Sequence, residues 1–372
     1  MGAFFLLLGT RSHATHGSAW RALDGIAVAF VVLAAFTYSS GLRAPASIAI
    51  VKDILIYLTA FAAVIIIPMQ LGGFGKVFAA IPASKVLLAV PGAHTTGAYG
   101  AYATLALGSA LALFLYPHSF TAILSANSSK AIRRNAAILP GYSFMLGLLA
   151  LVGFFAIAAG VDKLPEFAAG FKQFGNNFAV PALFLHSFPS WFVGIAFAAI
   201  GIGALVPAAI MSIAAANLYT RNIHREFINR NPTDKQEAQM AKWVSLLVKV
   251  GALVFILFVP TKYAIELQLL GGIWIIQTLP AVMLGVYTRW FNDWALLAGW
   301  AVGTFAGTAM AISADLKPAY PVTFGGYTFP GYTAFYTLIL NLALTIVLTP
   351  VFNAMNARRA PRDATVSADY VA

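Results

Sequence analysis

Four stretches of this chain place ionisable or helix-breaking residues inside otherwise apolar runs, and chemistry would have to start there. The first is the turn Gly41-Leu42-Arg43-Ala44-Pro45, followed by the adjacent pair Lys52-Asp53. A cation and a carboxylate just inside a membrane can form the inner end of an ion path, or both can snorkel to the interface. The second is Tyr116-Pro117-His118. Proline lacks an N–H and breaks the helical ladder, freeing carbonyls that can line a cavity; a kink that only serves packing carries the same signature. The third runs from Gly201 to Ser212 and includes Gly203, Pro207 and Ala209. Its small residues permit close helix contact, and Pro207 with Ser212 can open a polar spot near the bilayer middle. The fourth is Lys249, deep in an apolar segment, where a charge should face the protein interior or water. Gly271-Gly272 and Pro280 mark one more interrupted helix, read as packing before site.

Enzyme chemistry finds no anchor. The chain lacks GxxxxGK[ST], HExxH and GxSxG, and it has no cysteine. Its six histidines, at 13, 16, 94, 118, 186 and 224, lack metal-ligand spacing. The expectation is therefore no catalysis, no resident metal and no cofactor.

The elements that must position these residues follow from composition. Of 372 residues 60% are hydrophobic and only 9% charged, too few to coat a water-soluble globule of this size. Continuous apolar runs rather than alternating ones predict membrane-spanning helices over about 25–42, 47–69, 98–124, 137–161, 190–219, 241–259, 264–288, 293–313 and 332–354. The fold class is all-α, a polytopic membrane helix bundle over 23–356, preceded by an atypical segment 1–22 and followed by a polar, disordered tail 357–372. A net charge of +11 raises nucleic acid as a partner, but its placement argues for a bilayer instead.

Lys130, Arg133 and Arg134 follow the third run. Arg221, Arg225, Arg230, Lys235 and Lys242 surround the link after the fifth, Arg289 follows the seventh, and Arg358, Arg359 and Arg362 follow the ninth. Nine alternating spans put all of these on one side, cytoplasmic by the positive-inside rule, with the C-terminus inside and the N-terminus outside. The opposite loops, 70–97, 162–189 and 314–331, carry few cations. Arg221–Lys242 reads as a cytoplasmic linker in which Asn231-Pro232-Thr233-Asp234 ends one helix and starts the next.

Taken together these motifs resemble the sodium:solute symporter family. Thr37-Tyr38-Ser39-Ser40-Gly41-Leu42-Arg43-Ala44 with Lys52-Asp53 is similar to its "YT..GGLRAV...TD..Q" signature. Pro117-His118 with Lys130-Ala131-Ile132-Arg133-Arg134 resembles "QPH...K..RR". Asn177-Phe178-Ala179-Val180-Pro181 resembles an outer-loop "D.A.P", and Thr220-Arg221-Asn222-Ile223 a helix end "TRDIY". The wording is most similar to the bacterial monocarboxylate permease branch. The resemblance implies a leucine-transporter-like fold, of which this chain would hold about nine of thirteen spans, in the bacterial cytoplasmic membrane. It implies symport of a small carboxylate such as pyruvate, lactate or acetate with H+ or Na+; the competing expectations are an inactive truncated fragment and a channel or sensor. Oligomeric state is left open.

Two departures bear on the coupling ion. The family's neighbouring pair of hydroxyl residues falls on Val206-Pro207 counted back from Thr220, or on Ser212-Ile213 in a shifted register, and neither supplies two hydroxyls. The threonine before the membrane-proximal aspartate is Lys52 here. A Lys249 that released its proton in one conformation and regained it in another would replace the bound cation. The alternative is a permanent pairing of Lys249 with Asp53 or a helix carbonyl.

Overall fold

A computed structural model describes residues 30–258, 264–288 and 290–355. The segments 1–22 and 357–372, and with them Arg358, Arg359 and Arg362, lie outside the described residues, as does Arg289. The long helices are α1 (Phe30–Ser40), α2 (Arg43–Gln70), α3 (Gly97–Leu113), α4 (Pro117–Leu124), α5 (Ser129–Ala158), α6 (Ser190–Tyr219), α7 (Asp234–Phe258), α8 (Ala264–Ile275), α9 (Asp293–Ser313) and α10 (Thr333–Ala354). Among the described residues seven stretches are long and apolar enough to cross a membrane, and the bent pair α3–α4 makes an eighth. The described parts of all nine runs expected from the sequence fall on helices, the first on the short α1.

Two boundaries moved. Helix α5 begins at Ser129 rather than near 137, so Lys130, Arg133 and Arg134 occupy its first turns. The Ser128 hydroxyl caps it by accepting from the Ala131 N–H at 3.2 Å. The expected linker Arg221–Lys242 is mostly helical: α6 continues as a π-helical stretch Thr220–Ile228, and α7 starts at Asp234. Thr233 and Gln236 form a reciprocal capping box, with Thr233 N–H to Gln236 Oε1 at 2.9 Å and Gln236 N–H to Thr233 Oγ1 at 3.3 Å. Arg221 and Glu237 pair across the remaining gap at 2.9 Å.

The described residues divide into two compact units. One comprises the chain up to Pro82 and from Thr121 through α7. Its core gathers Ala63 and Ile67 of α2, Val152 and Phe155 of α5, and Phe192, Val193 and Ala196 of α6. The loop 162–189 folds over this core as short helical turns, with Phe167, Phe171 and Phe174 ringed around Phe178. Gly170 is forced by that cluster, because a Cβ there would sit inside the Phe178 ring.

The other unit comprises Ala83 to Phe120 and the chain from α8 onward. Its centre is the antiparallel pair α9–α10. Ala295, Gly299, Gly303, Gly307 and Ala311 recur every fourth residue along the buried face of α9. Opposite them Thr333, Thr337, Asn341, Thr345 and Thr349 recur at the same interval on α10, each 1% exposed or less. Small residues against small hydroxyls bring the two backbones together, which is how helices associate where lipid offers no hydrophobic drive.

The loop 314–331, expected only as an outer loop, forms a β-hairpin of β1 (Ala319–Phe324) and β2 (Tyr327–Tyr332). Gly325 and Gly326, at φ +57° and +77°, supply the two left-handed residues that a tight hairpin turn requires. The hairpin delivers Tyr332 to α8, where its hydroxyl donates to the Leu269 carbonyl at 2.6 Å. Gly272 leaves the room, since a Cβ there would overlap that hydroxyl. Tyr332→Phe should lower stability by about 1 kcal/mol, read as a fall in thermal midpoint in detergent; an unchanged midpoint would show that this bond carries no weight.

Candidate functional site

The breaks in the helices come first, because they set where side chains converge. Pro117 opens α4 at 43° to α3. The Leu113 carbonyl, whose ladder partner would be the missing N–H of residue 117, instead accepts the Ser119 hydroxyl at 3.0 Å. The Tyr116 carbonyl accepts the N–H groups of Ser119 and Phe120 at 2.9 and 3.3 Å. The freed carbonyls are therefore satisfied locally. The Tyr116 ring lies 5.4 Å from His118, and its hydroxyl reaches the Gln268 carbonyl of α8 at 3.5 Å. Gly271 and Gly272 admit the Tyr116 and Tyr332 hydroxyls, so they pack as expected.

Helix α8 breaks again at its end, passing through a 3-10 turn Ile276–Thr278 and a π turn Pro280–Leu284. Gln277, 1% exposed, binds this break: its amide nitrogen donates to the Ile273 carbonyl at 3.1 Å and to Thr337 Oγ1 at 2.9 Å. Asn341 Nδ2 donates to the Gln277 carbonyl at 2.8 Å and to its Oε1 at 3.1 Å. This buried polar seam escaped the reading of the sequence. Its signal was a polar residue at every fourth position of an apolar run, from Thr333 to Thr349.

In the other unit the candidates form two groups. Lys52 and Asp53 pair with each other, Nζ to Oδ1 at 2.8 Å, and Lys52 also lies 5.9 Å from the Tyr142 ring centre. Asp53 is thus engaged by its neighbour, and the expected pairing of Lys249 with Asp53 does not occur: the lysine next in sequence takes the carboxylate. Lys249 instead donates to the hydroxyl of Ser245 at 2.7 Å and to its carbonyl at 3.3 Å, so the helix carbonyl is the alternative observed. Ser245 donates to Ser212 Oγ at 3.4 Å, and Ser212 donates to the Ala209 carbonyl at 2.8 Å. The third and fourth sequence candidates therefore belong to one hydrogen-bonded chain from α7 to α6. Ser245 was missed, although a serine four residues before a buried lysine shares its helix face.

Ser245 and Lys249 line a cavity of about 220 Å³ among α1, α6 and α7, with Thr37, Tyr38, Asn217 and Lys242 also in its walls. Lys242 lies 4.9 Å from the Tyr38 ring centre, and the Tyr38 hydroxyl accepts from the Gln239 amide at 3.1 Å. No carboxylate faces Lys249 among the described residues. Neither does any trio of His, Asp or Glu stand close enough there to hold a metal ion. Such an arrangement can hold an anion.

A sequence model of the sodium:solute symporter family matches residues 19–303. The chain belongs to this family. Within reach of the family assignment, a monocarboxylate transport permease of Rhizobium johnstonii is 50% identical over 337 residues, 90% of this chain and 66% of the relative. The uncharacterized symporter YodF of Bacillus subtilis is 27% identical over 88% of this chain and 62% of its own length. Against the curated relatives, then, the symporter-family chain spans about two thirds of their length or less. Among solved structures, the substrate-bound outward-open state of a Na+-coupled sialic acid symporter superposes with a TM-score of 0.66 at 14% identity. That likeness covers 94% of this chain and 70% of the other. It shows the fold, the leucine-transporter-like one that the motifs implied.

Proposed function

We infer that the protein serves secondary active uptake of a small monocarboxylate such as pyruvate, lactate or acetate, coupled to Na+ or H+ across the bacterial inner membrane. The observation that carries this reading is the 50% identity to the Rhizobium monocarboxylate permease over nine tenths of the chain. Family membership and the Na+-coupled structural neighbour support sodium as the ion. The lost hydroxyl pair around Val206-Pro207 favours protons. The path for ion and substrate is proposed to run along Asp53, Lys52, Ala209, Ser212 and Lys249 in one unit, and along Tyr116, Pro117 and His118 in the other.

A second reading, that this chain alone is inactive, is favoured by its spanning only 66% of that relative. Uptake of labelled pyruvate into proteoliposomes separates the two. The chain is compared with a chimera completed by those parts of the Rhizobium permease that it does not span. Accumulation is expected in the completed protein under an inward Na+ or H+ gradient, ending when the matching ionophore collapses that gradient. Uptake only in the chimera would establish the second reading for the chain by itself. A completed protein that moves no monocarboxylate under either gradient would sink the transport reading, and a current that never saturates with pyruvate would mark a channel.

A further inference from the structure

The cavity among α1, α6 and α7 holds a cation that no carboxylate among the described residues answers. Lys249 is 4% exposed, and Ser212, Ser245 and Thr37 around it are 3, 7 and 5% exposed. A charge buried this deeply is costly unless a counter-charge and hydrogen bonds compensate it. An ammonium has three donor protons. Both of its acceptors belong to a single residue, Ser245. The hydrogen-bond directions then decide what else fits. The Ser245 proton points to Ser212 and the Ser212 proton to the Ala209 carbonyl, so both hydroxyls are committed away from the cavity.

Apart from the Asn217 amide, which can both donate and accept, the polar groups left facing the space are donors. Lys249 offers an ammonium from one side and Lys242 from another. Tyr38 accepts from Gln239 and keeps its own phenolic proton. The other walls are mostly apolar, among them Ala34, Ile213, Ala216 and Leu246, with Thr37 and the Asn217 amide as neutral polar groups, and among the described residues no Asp or Glu lines the cavity. At about 220 Å³ it is smaller than the roughly 300–1,000 Å³ of drug-sized sites. Donors at one end, apolar walls and small size together describe an acceptor-only anion with a short hydrocarbon body.

We propose that this cavity is a carboxylate subsite, in which the Lys249 ammonium, with Lys242 and Tyr38 as auxiliary donors, holds the carboxylate of a small monocarboxylate. The proposal rests on the transport reading above and gives it a place on this chain. Lys249 is then a binding residue with a fixed charge, not a shuttle that sheds its proton.

The test uses Ala241→Cys, since the chain has no other thiol and Ala241 lines the cavity. In detergent, pyruvate is expected to slow modification of the introduced thiol by a small methanethiosulfonate, whereas glycerol and chloride are not. Lys249→Met should raise the half-protecting pyruvate concentration by about thirtyfold, about 2 kcal/mol, as for loss of one partner of a buried charge pair. Lys249→Arg should stay within about threefold of the parent, which separates lost charge from lost fold. Exchange of labelled pyruvate by the completed protein is measured alongside. Exchange without protection, or with protection unchanged in Lys249→Met, overturns the subsite and leaves transport standing. Protection without exchange in any form upholds the subsite and removes the transport reading. Equal protection by chloride overturns the monocarboxylate assignment. Lost accumulation in Lys249→Met with undiminished protection assigns Lys249 to coupling and overturns the subsite as well.

Discussion

Gly303→Val should leave almost no folded protein. A Cβ at this position would overlap Gln277 Oε1, and it would lie 3.0 Å from Gln277 Cδ and 3.1 Å from Asn341 Cβ. Neither neighbour can retreat, because Gln277 is tied to Ile273, Thr337 and Asn341 and is almost fully buried. Valine adds two further methyl groups to that overlap. Prying α9 from α10 would also strip Thr345 of the bond its hydroxyl donates to the Ala295 carbonyl at 3.4 Å. The combined overpacking and broken polar network should cost more than about 3 kcal/mol, a large share of a typical stability. Size-exclusion yield and the thermal midpoint in detergent measure it. Gly194→Ala is the control, since its Cβ meets nothing within 4 Å. Wild-type yield and midpoint for Gly303→Val would mean that α9 and α10 do not touch along this stripe.

An all-or-none contrast is expected from membrane-impermeant thiol reagents in intact cells. Asn176→Cys should label fully, whereas Ser128→Cys and Asn231→Cys should label only after permeabilisation. Helix α5 has 30 residues, about 45 Å at 1.5 Å per residue, enough to cross about 30 Å of hydrocarbon and project beyond it. Ser128 precedes α5, Asn176 lies in the short turn Gly175–Phe178 between α5 and α6, and Asn231 lies between α6 and α7. The cations follow the same division: Lys130, Arg133 and Arg134 sit beside Ser128, and Arg221, Arg225 and Arg230 beside Asn231. Labelling of Asn231→Cys from outside would overturn the orientation and the alternation of spans on which it rests. Asn356, a third position where an introduced cysteine should resist these reagents, lies outside the described residues.

Much of the fold was legible because its signals are local. Twenty-residue apolar runs mark spans whatever they pack against, and the described part of every expected run falls on a helix. Gly41 at φ +56°, the break at Pro117 and the Thr233–Gln236 cap are decided by residues within one turn of each other. The hairpin around Gly325-Gly326 has a local signal of the same kind, two glycines between alternating aromatic and polar residues. The start of α5 was misplaced because hydropathy reports where hydrocarbon begins, and a helix capped by Ser128 runs on past it into water.

Partnerships between helices were a different matter. The sequence determined that Lys52, Asp53, Ser212 and Lys249 had to be held inside helices; tertiary structure alone decided that Asp53 goes to Lys52 and that Lys249 meets Ser245 and Ser212. It alone decided, too, that Gln277 and Asn341 secure the end of α8 against α9 and α10. The reason is physical. A membrane helix is apolar around most of its circumference, so no polar stripe declares which face turns inward. That face is set by where small residues let backbones approach and by which buried donors find acceptors, and both depend on rotations and offsets between helices far apart in the chain.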